Sequence, residues 1–277
     1  MAEGSFDYDA PGRLTRLTGP RLAACEDLPS DPVAICSVVQ SLVIEPRDAV
    51  AAGIADERAA ERNLRPIDQI ADVLLGLNPA PLSVLREPAE RVVGTCRQYA
   101  TLACGLMRAK AIPARARCGF ATYFVADKSV DHWIVEYRPV ATDRWTRVDT
   151  ELLGTTRHVS DPTDLAEGAF LTGGEAWQLW RDGRVDPDTF GVVGTDHAWG
   201  IGEIRGNAIR DLAALHRLEM LPWDEWGRMD DSYQGRTGPD YDELIDRVAS
   251  ACASDNEELL AATYREQDLA VSPSMIG

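Results

Sequence analysis

The chain has 277 residues, 45% of them hydrophobic and 26% charged, enough to bury a core without disulfide staples. Its 28 basic and 45 acidic side chains leave a net charge of −17, which argues against a nucleic-acid binder and against docking on an anionic membrane, since both need a basic patch. No apolar run approaches the roughly 20 residues of a spanning helix, and the opening MAEGSFDYDAPGR lacks the basic and apolar parts of a secretory leader, so the expected address is the cytoplasm.

Residues 1–30 are polar, carry Pro and Gly and show no clear period; they read as an irregular arm or short edge strand. Residues 33–44 (VAICSVVQSLVI) are apolar enough for a buried helix. From Asp48 to Leu77 the pattern is helical, with Ile54, Ile67, Ile70, Val73, Leu74 and Leu77 at helix-like intervals, and Asn78-Pro79-Ala80-Pro81 ends it. The clearest helix is 96–110 (CRQYATLACGLMRAK), where Tyr99, Leu102, Ala103, Leu106 and Met107 follow the i, i+3, i+4, i+7, i+8 rule. Thr95 is its expected N-cap, and Ile112-Pro113 closes it. Strands are predicted over 116–125, 132–138 and 145–149, so a helix leads into an antiparallel sheet, an α+β order. Trp177, Trp180, Trp199, Trp223 and Trp226 then mark a tract of short helices and turns. Within it, helix 203–221 has Ile204, Ala208, Leu212, Leu215 and Leu218 on one side, and a last helix runs from about Asp240 to Leu260.

Cys25, Cys36, Cys96, Cys104, Cys118 and Cys252 form no CxxC pair, and His132, His158, His197 and His216 show no HxxxH or HExxH spacing. Neither a disulfide scaffold nor a metal site is implied. Cys96 differs from the rest because it opens the 96–110 helix. The unpaired N–H groups and positive dipole end of a first turn lower a thiol's pKa and bind a developing oxyanion. A nucleophile needs a base, and the base an orienting group. His132 begins one predicted strand and Asp149 ends the next. A turn centred near residues 140–141, with paired numbers summing to about 281, sets His132 across from Asp149. His197, in DHAWG, is a rival for the base, but Gly200-Ile201-Gly202-Glu203 after it leads into a helix, so His132 is preferred.

The stretch GTCRQYATLACGLMRAKAIPARARCGFA (94–121), with DHWIVEY (131–137) and RWTRVDTE (144–151), resembles the transglutaminase-like superfamily, in bacterial and particularly actinobacterial form. The resemblance implies a papain-like core: a central helix bearing the Cys packed on an antiparallel sheet, here with N-terminal helices and a C-terminal helical extension. It matches Cys96 to the nucleophile, His132 to the general base and Asp149 to the residue that orients it. Tyr99 and Ile112-Pro113-Ala114-Arg115 also fit. Gln98 departs from an often acidic position, Ala111 from a Gly and Thr150 from a Pro. The implied organisation is a single domain over 1–277, with its core in 33–155 and a Trp-rich extension over 156–277 packed on that core.

The implied chemistry is acyl transfer or hydrolysis on an amide, ester or thioester carbonyl of a small-molecule or peptide substrate, with Tyr123 and Trp133 as substrate-lining candidates. No metal or organic cofactor is implied, and the oligomeric state is left open. Two alternatives stand beside this: a non-catalytic module that keeps the fold for binding, and an amide-forming tailoring enzyme of small-molecule biosynthesis.

Overall fold

A computed structural model of the chain describes residues 6–139, 142, 144–154, 159–254 and 256–276. Among them the elements run α1 (Gly19–Ala23), α2 (Pro32–Gln40), β1 (Val43–Ile44), α3 (Pro46–Ala51), α4 (Ile67–Leu77), β2 (Val92–Val93), α5 (Cys96–Ala109), β3 (Ala114–Ala121), β4 (Ser129–Tyr137) and β5 (Thr146–Val148). Then follow β6 (Phe170–Thr172), α6 (Gly173–Arg181), β7 (Phe190–Gly191), α7 (Ile201–Leu215), α8 (Met229–Tyr233), α9 (Pro239–Ser254), α10 (Glu257–Tyr264) and α11 (Pro273–Ile276). The sheet order is β5-β4-β3-β6, with β7 also on β4, and the class is α+β as expected. No helix among the described residues is long and apolar enough to cross a membrane. By backbone contacts the chain divides into two compact units, one of residues 7–116 and 134–165, the other of 6, 117–133 and 166–276.

In the first unit α5 is the centre of the core. Leu102, Ala103, Leu106 and Met107 are wholly buried among Ile35, Cys36 and Val39 of α2, Ile67, Ile70 and Leu74 of α4, and Val135 and Val148 of the sheet. The apolar run 33–44 is split: α2 ends at Gln40, and the chain extends into β1, which pairs in parallel with β2 (Val43↔Val92, Ile44↔Val93). β-Branched residues favour that extended pairing. The pattern from Asp48 to Leu77 is also interrupted. Gly53 turns the chain at φ 72°, residues Asp56–Asn63 form a 3-10 segment, and α4 starts only after Pro66. In the described part of the N-terminal arm the regular element is α1, a helix and not an edge strand.

β4 and β5 pair as Val135↔Val148, Glu136↔Arg147 and Tyr137↔Thr146, so paired numbers sum to 283 and not 281. Continued by one step, that register sets Ile134 across from Asp149, and His132 stands two residues further along β4.

In the second unit β6 pairs antiparallel with β3 (Gly119↔Thr172 to Ala121↔Phe170), and β7 pairs in parallel with the start of β4 (Ser129↔Phe190). These short strands lie inside the tract expected to hold helices and turns. α7 is buried around its whole circumference, its apolar side with Ile204, Ala208 and Leu212 and its polar side with Glu203, Asn207, Arg210 and Asp211. It ends earlier than expected, where Arg217 takes φ 60°. α6 lies flush on it: a Cβ on Gly173 would sit 2.2 Å from the Ala208 nitrogen. The expected last helix is two, because Asn256 caps a new start by accepting from the Leu259 N–H at 3.0 Å.

Candidate active site

Cys96 is the first residue of α5, and its surroundings explain why the helix begins there. β2 leads into it, with Gly94 N–H donating to the Ile44 carbonyl at 3.0 Å. A side chain at Gly94 would meet the Gln98 Cβ at 2.8 Å, so a residue without one is required. Thr95 is extended at φ −107°, ψ −177°, as an N-cap should be. Its N–H and hydroxyl both donate to the Gln98 Oε1, at 3.0 and 3.1 Å. Gln98 Nε2 donates in turn to the Arg62 carbonyl at 2.7 Å, and the Arg97 guanidinium donates to the carbonyls of Leu64 (3.1 Å) and Arg65 (2.9 Å). Gln98 and Arg97 are wholly buried, whereas Cys96 between this clamp and the cap is partly exposed. The first-turn N–H groups and the positive end of the helix dipole lie at its sulfur's end of α5.

This arrangement accounts for an amide at position 98. A carboxylate would still accept from Thr95 but could not donate to Arg62. Gln98→Glu is expected to cost about 1–3 kcal/mol in urea unfolding at pH 7. An unchanged unfolding midpoint would show that the amide does not hold the 62–65 loop.

Of the six cysteines, the other five are buried. Burial pushes the Cys25 thiol up to about 11 and the Cys36 thiol up to about 12, and holds Cys118 well above the ordinary thiol range. Cys104 donates to the Ala114 carbonyl at 3.4 Å within the core.

Asp149, in the same unit as Cys96, is wholly buried just past β5. Its N–H donates to the Pro162 carbonyl at 2.9 Å. Its Oδ1 accepts from the N–H groups of Glu151 (3.1 Å) and Leu152 (3.3 Å), an Asx turn that fixes the carboxylate. In the same unit, Arg115 of the Ile112-Pro113-Ala114-Arg115 motif donates to the buried Glu136 at 2.6 Å, and its guanidinium lies over the Trp145 ring at 4.1 Å.

His132 belongs to the second unit, on β4, and is 2% exposed. The β3–β4 loop brings Tyr123 and Phe124 beside it. Phe124 meets the imidazole edge-on at 4.9 Å between centroids, and Tyr123 at 6.4 Å. Phe124 is thus the nearer ring, and the sequence reading missed it; its place directly after Tyr123, in a loop that starts one residue past β3, was the available signal. Trp133, the other substrate-lining candidate, is buried, with its indole N–H lacking a hydrogen-bond partner among the described residues. His197 is exposed on a bend after β7. His158 lies outside the described residues. Among the described residues no three His, Cys, Asp or Glu side chains group as a metal site would need.

Comparison with known proteins bears on the same stretch. Residues 77–150 match the model of the transglutaminase-like superfamily, and that span contains Cys96, His132 and Asp149. No curated protein matches the chain. A candidate cysteine protease of Cytophaga hutchinsonii, known from its crystal structure, is similar at 19% identity over 53% of this chain, with a TM-score of 0.35. The match spans 41% of that protein's chain, less than half its length. Residues 77–150 are thus similar to the transglutaminase-like superfamily, and the mixed helices and antiparallel sheet fit an α+β, papain-like fold.

Proposed function

We propose that the protein is a cysteine acyl-transfer enzyme, with Cys96 as nucleophile, His132 as general base and Asp149 as the group that orients the imidazole. In the first step the Cys96 sulfur bonds to the carbonyl carbon of an amide, ester or thioester, and its proton passes to His132. The carbonyl oxygen becomes an oxyanion facing the first turn of α5, whose N–H groups and dipole stabilise it. The bond to the leaving group then breaks, His132 gives the departing amine, alcohol or thiol its proton, and an acyl-thioester on Cys96 remains. Water resolves it to an acid, or an amine resolves it to an amide, with His132 taking the attacker's proton. The Asp149 carboxylate stabilises the imidazolium.

The observation that carries this reading is that the one cysteine of six that is not buried opens a helix inside the same matched stretch that holds His132 and Asp149. The test is alkylation by iodoacetamide at pH 6–7 with the adduct mapped by mass spectrometry. Cys96 should label first, and His132→Ala should slow it by about tenfold or more. Even labelling of all six thiols, or labelling of Cys96 that ignores His132, would end the assignment.

A further inference from the structure

The polar side of α7 has no part in the reaction just described, yet it is among the most deeply buried polar surfaces of the second unit. Glu203, Asn207, Arg210 and Asp211 are each 2% exposed or less and share one helix face by their spacing. Burial of this kind is costly unless every group is paired. Asn207 meets that condition with four bonds. Its Nδ2 donates to the Gly119 carbonyl (3.2 Å) and to Asp131 Oδ1 (2.8 Å). Its Oδ1 accepts from Arg210 Nη1 (3.0 Å) and from the Cys118 thiol (3.2 Å). Only an amide offers two donors and an acceptor with two lone pairs at one position.

The partners of Asn207 are specific. Gly119 and Cys118 are on β3, and Asp131 is the residue before His132 on β4. Asp211, one turn further along α7, takes Arg117 in a two-pronged pair (2.9 and 2.7 Å) and the Cys118 N–H at 3.0 Å. Arg210 is itself tied to Glu203 (3.3 Å), the Tyr233 hydroxyl (3.1 Å) and the Asp224 carbonyl (3.3 Å), and Tyr233 donates to Glu203 at 2.7 Å. One helix therefore grips both strands where β4 presents His132. The rings of Phe124 and Tyr123 lie edge-on to the imidazole.

We propose that α7 is a positioning element for His132: Asn207 holds Asp131, and so fixes the half of β4 that carries the imidazole and keeps a carboxylate's charge beside it. The proposal rests on the assignment of His132 as general base. Alternation along β4 sends the Asp131 and His132 side chains to opposite faces, so the coupling acts through the strand and through charge, not through a hydrogen bond between the two. Asp131 meets the Asn207 amide, and the charged or titratable groups that act on it are Arg210 and Glu203 of α7, Cys118 of β3 and, through charge alone, His132 next to it on β4. Asp131 is held above the usual carboxylate range by burial, opposed by Arg210, the Asn207 bond and His132. Its anionic form and the imidazolium thus favour one another.

The test is an NMR titration of the His132 ring in wild type, Asp131→Asn, Asn207→Ala and the double variant, with thermal melts alongside. Removing a neighbouring carboxylate lowers an imidazole's pKa. Asp131→Asn should lower the His132 midpoint by about one pH unit. Asn207→Ala should lower it in the same direction, and the double variant should lower it no further than Asp131→Asn alone. A merely structural Asn207 would depress the melting temperature and leave the midpoint where it was, which would overturn the proposal. If Asn207→Ala does not fold, the near-isosteric Asp131→Asn decides alone, and an unmoved midpoint in it is equally fatal. The midpoint is read on the ring and does not involve Cys96. Alkylation of Cys96 that ignores His132 would end the base assignment and leave this coupling intact; an unmoved midpoint with His132-dependent alkylation would do the reverse.

Discussion

Incubated with p-nitrophenyl acetate near neutral pH, the wild-type chain should gain one acetyl group on Cys96, with a burst of nitrophenolate, and Cys96→Ala should gain none. The expected fall in the rate of nitrophenolate release is at least about a thousandfold, the scale on which loss of a nucleophile removes a whole catalytic unit. The size of the effect follows from how little the other thiols can substitute. Cys25 and Cys36 are buried and pushed up to about 11 and about 12, so at neutral pH they hold almost no thiolate. Cys118 is wholly buried, lies well above the ordinary thiol range and donates its proton to Asn207. Cys96→Ala should fold normally, because the clamp on the helix start runs through Thr95, Arg97 and Gln98 and not through the cysteine. His132→Ala should remove the burst while leaving the thiol in place. Acetylation of any other cysteine at a comparable rate, or a burst that survives Cys96→Ala, would remove Cys96 from its role.

Much of this was legible in the sequence because the physics involved is local. The 3.6-residue period of Tyr99, Leu102, Ala103, Leu106 and Met107 marked α5 to within a residue, and Thr95 before it marked the start. The hairpin was legible in kind but not in register. Sums of 281 and 283 have the same parity, so both put the same side chains on the same face, and alternation cannot choose between them. At the foot of β5, Trp145 is held by the guanidinium groups of Arg115 and Arg138 at 4.1 and 5.2 Å, contacts that alternation does not encode. The break in the 48–77 pattern was marked by Gly53 and Pro66, yet Ala and Glu at helical spacing masked it. The role of α7 was not legible at all. A polar face on a helix ordinarily meets water, and nothing local in GNAIRD distinguishes an Asn that grips two strands from one that is solvated. That information sits in residues 117–119 and 131, between 76 and 94 positions away in the chain.

Asp211→Ala should destabilise the second unit by about 3–5 kcal/mol, the cost of breaking a buried ion pair from one side. The carboxylate is wholly buried and accepts three bonds, two from Arg117 and one from the Cys118 N–H. Its removal takes two bonds from a guanidinium whose side chain is 5% exposed, and the acceptor from a backbone donor of β3. Burial pushes Glu203 up to about 7, so near neutrality this carboxyl retains a proton part of the time. Asp211→Asn keeps one acceptor oxygen and should cost less than Ala. The contrasting case is Arg144–Asp164, a pair just as short at 2.6 Å but with side chains 63% and 42% exposed. Its loss in Asp164→Ala should leave the urea midpoint indistinguishable from wild type, since water screens both charges and replaces the bond. Urea unfolding of the three variants by circular dichroism separates the cases. If Asp211→Ala unfolds at the same midpoint as Asp164→Ala, the α7 network contributes packing alone, and its charges are not what hold β3 against the helix.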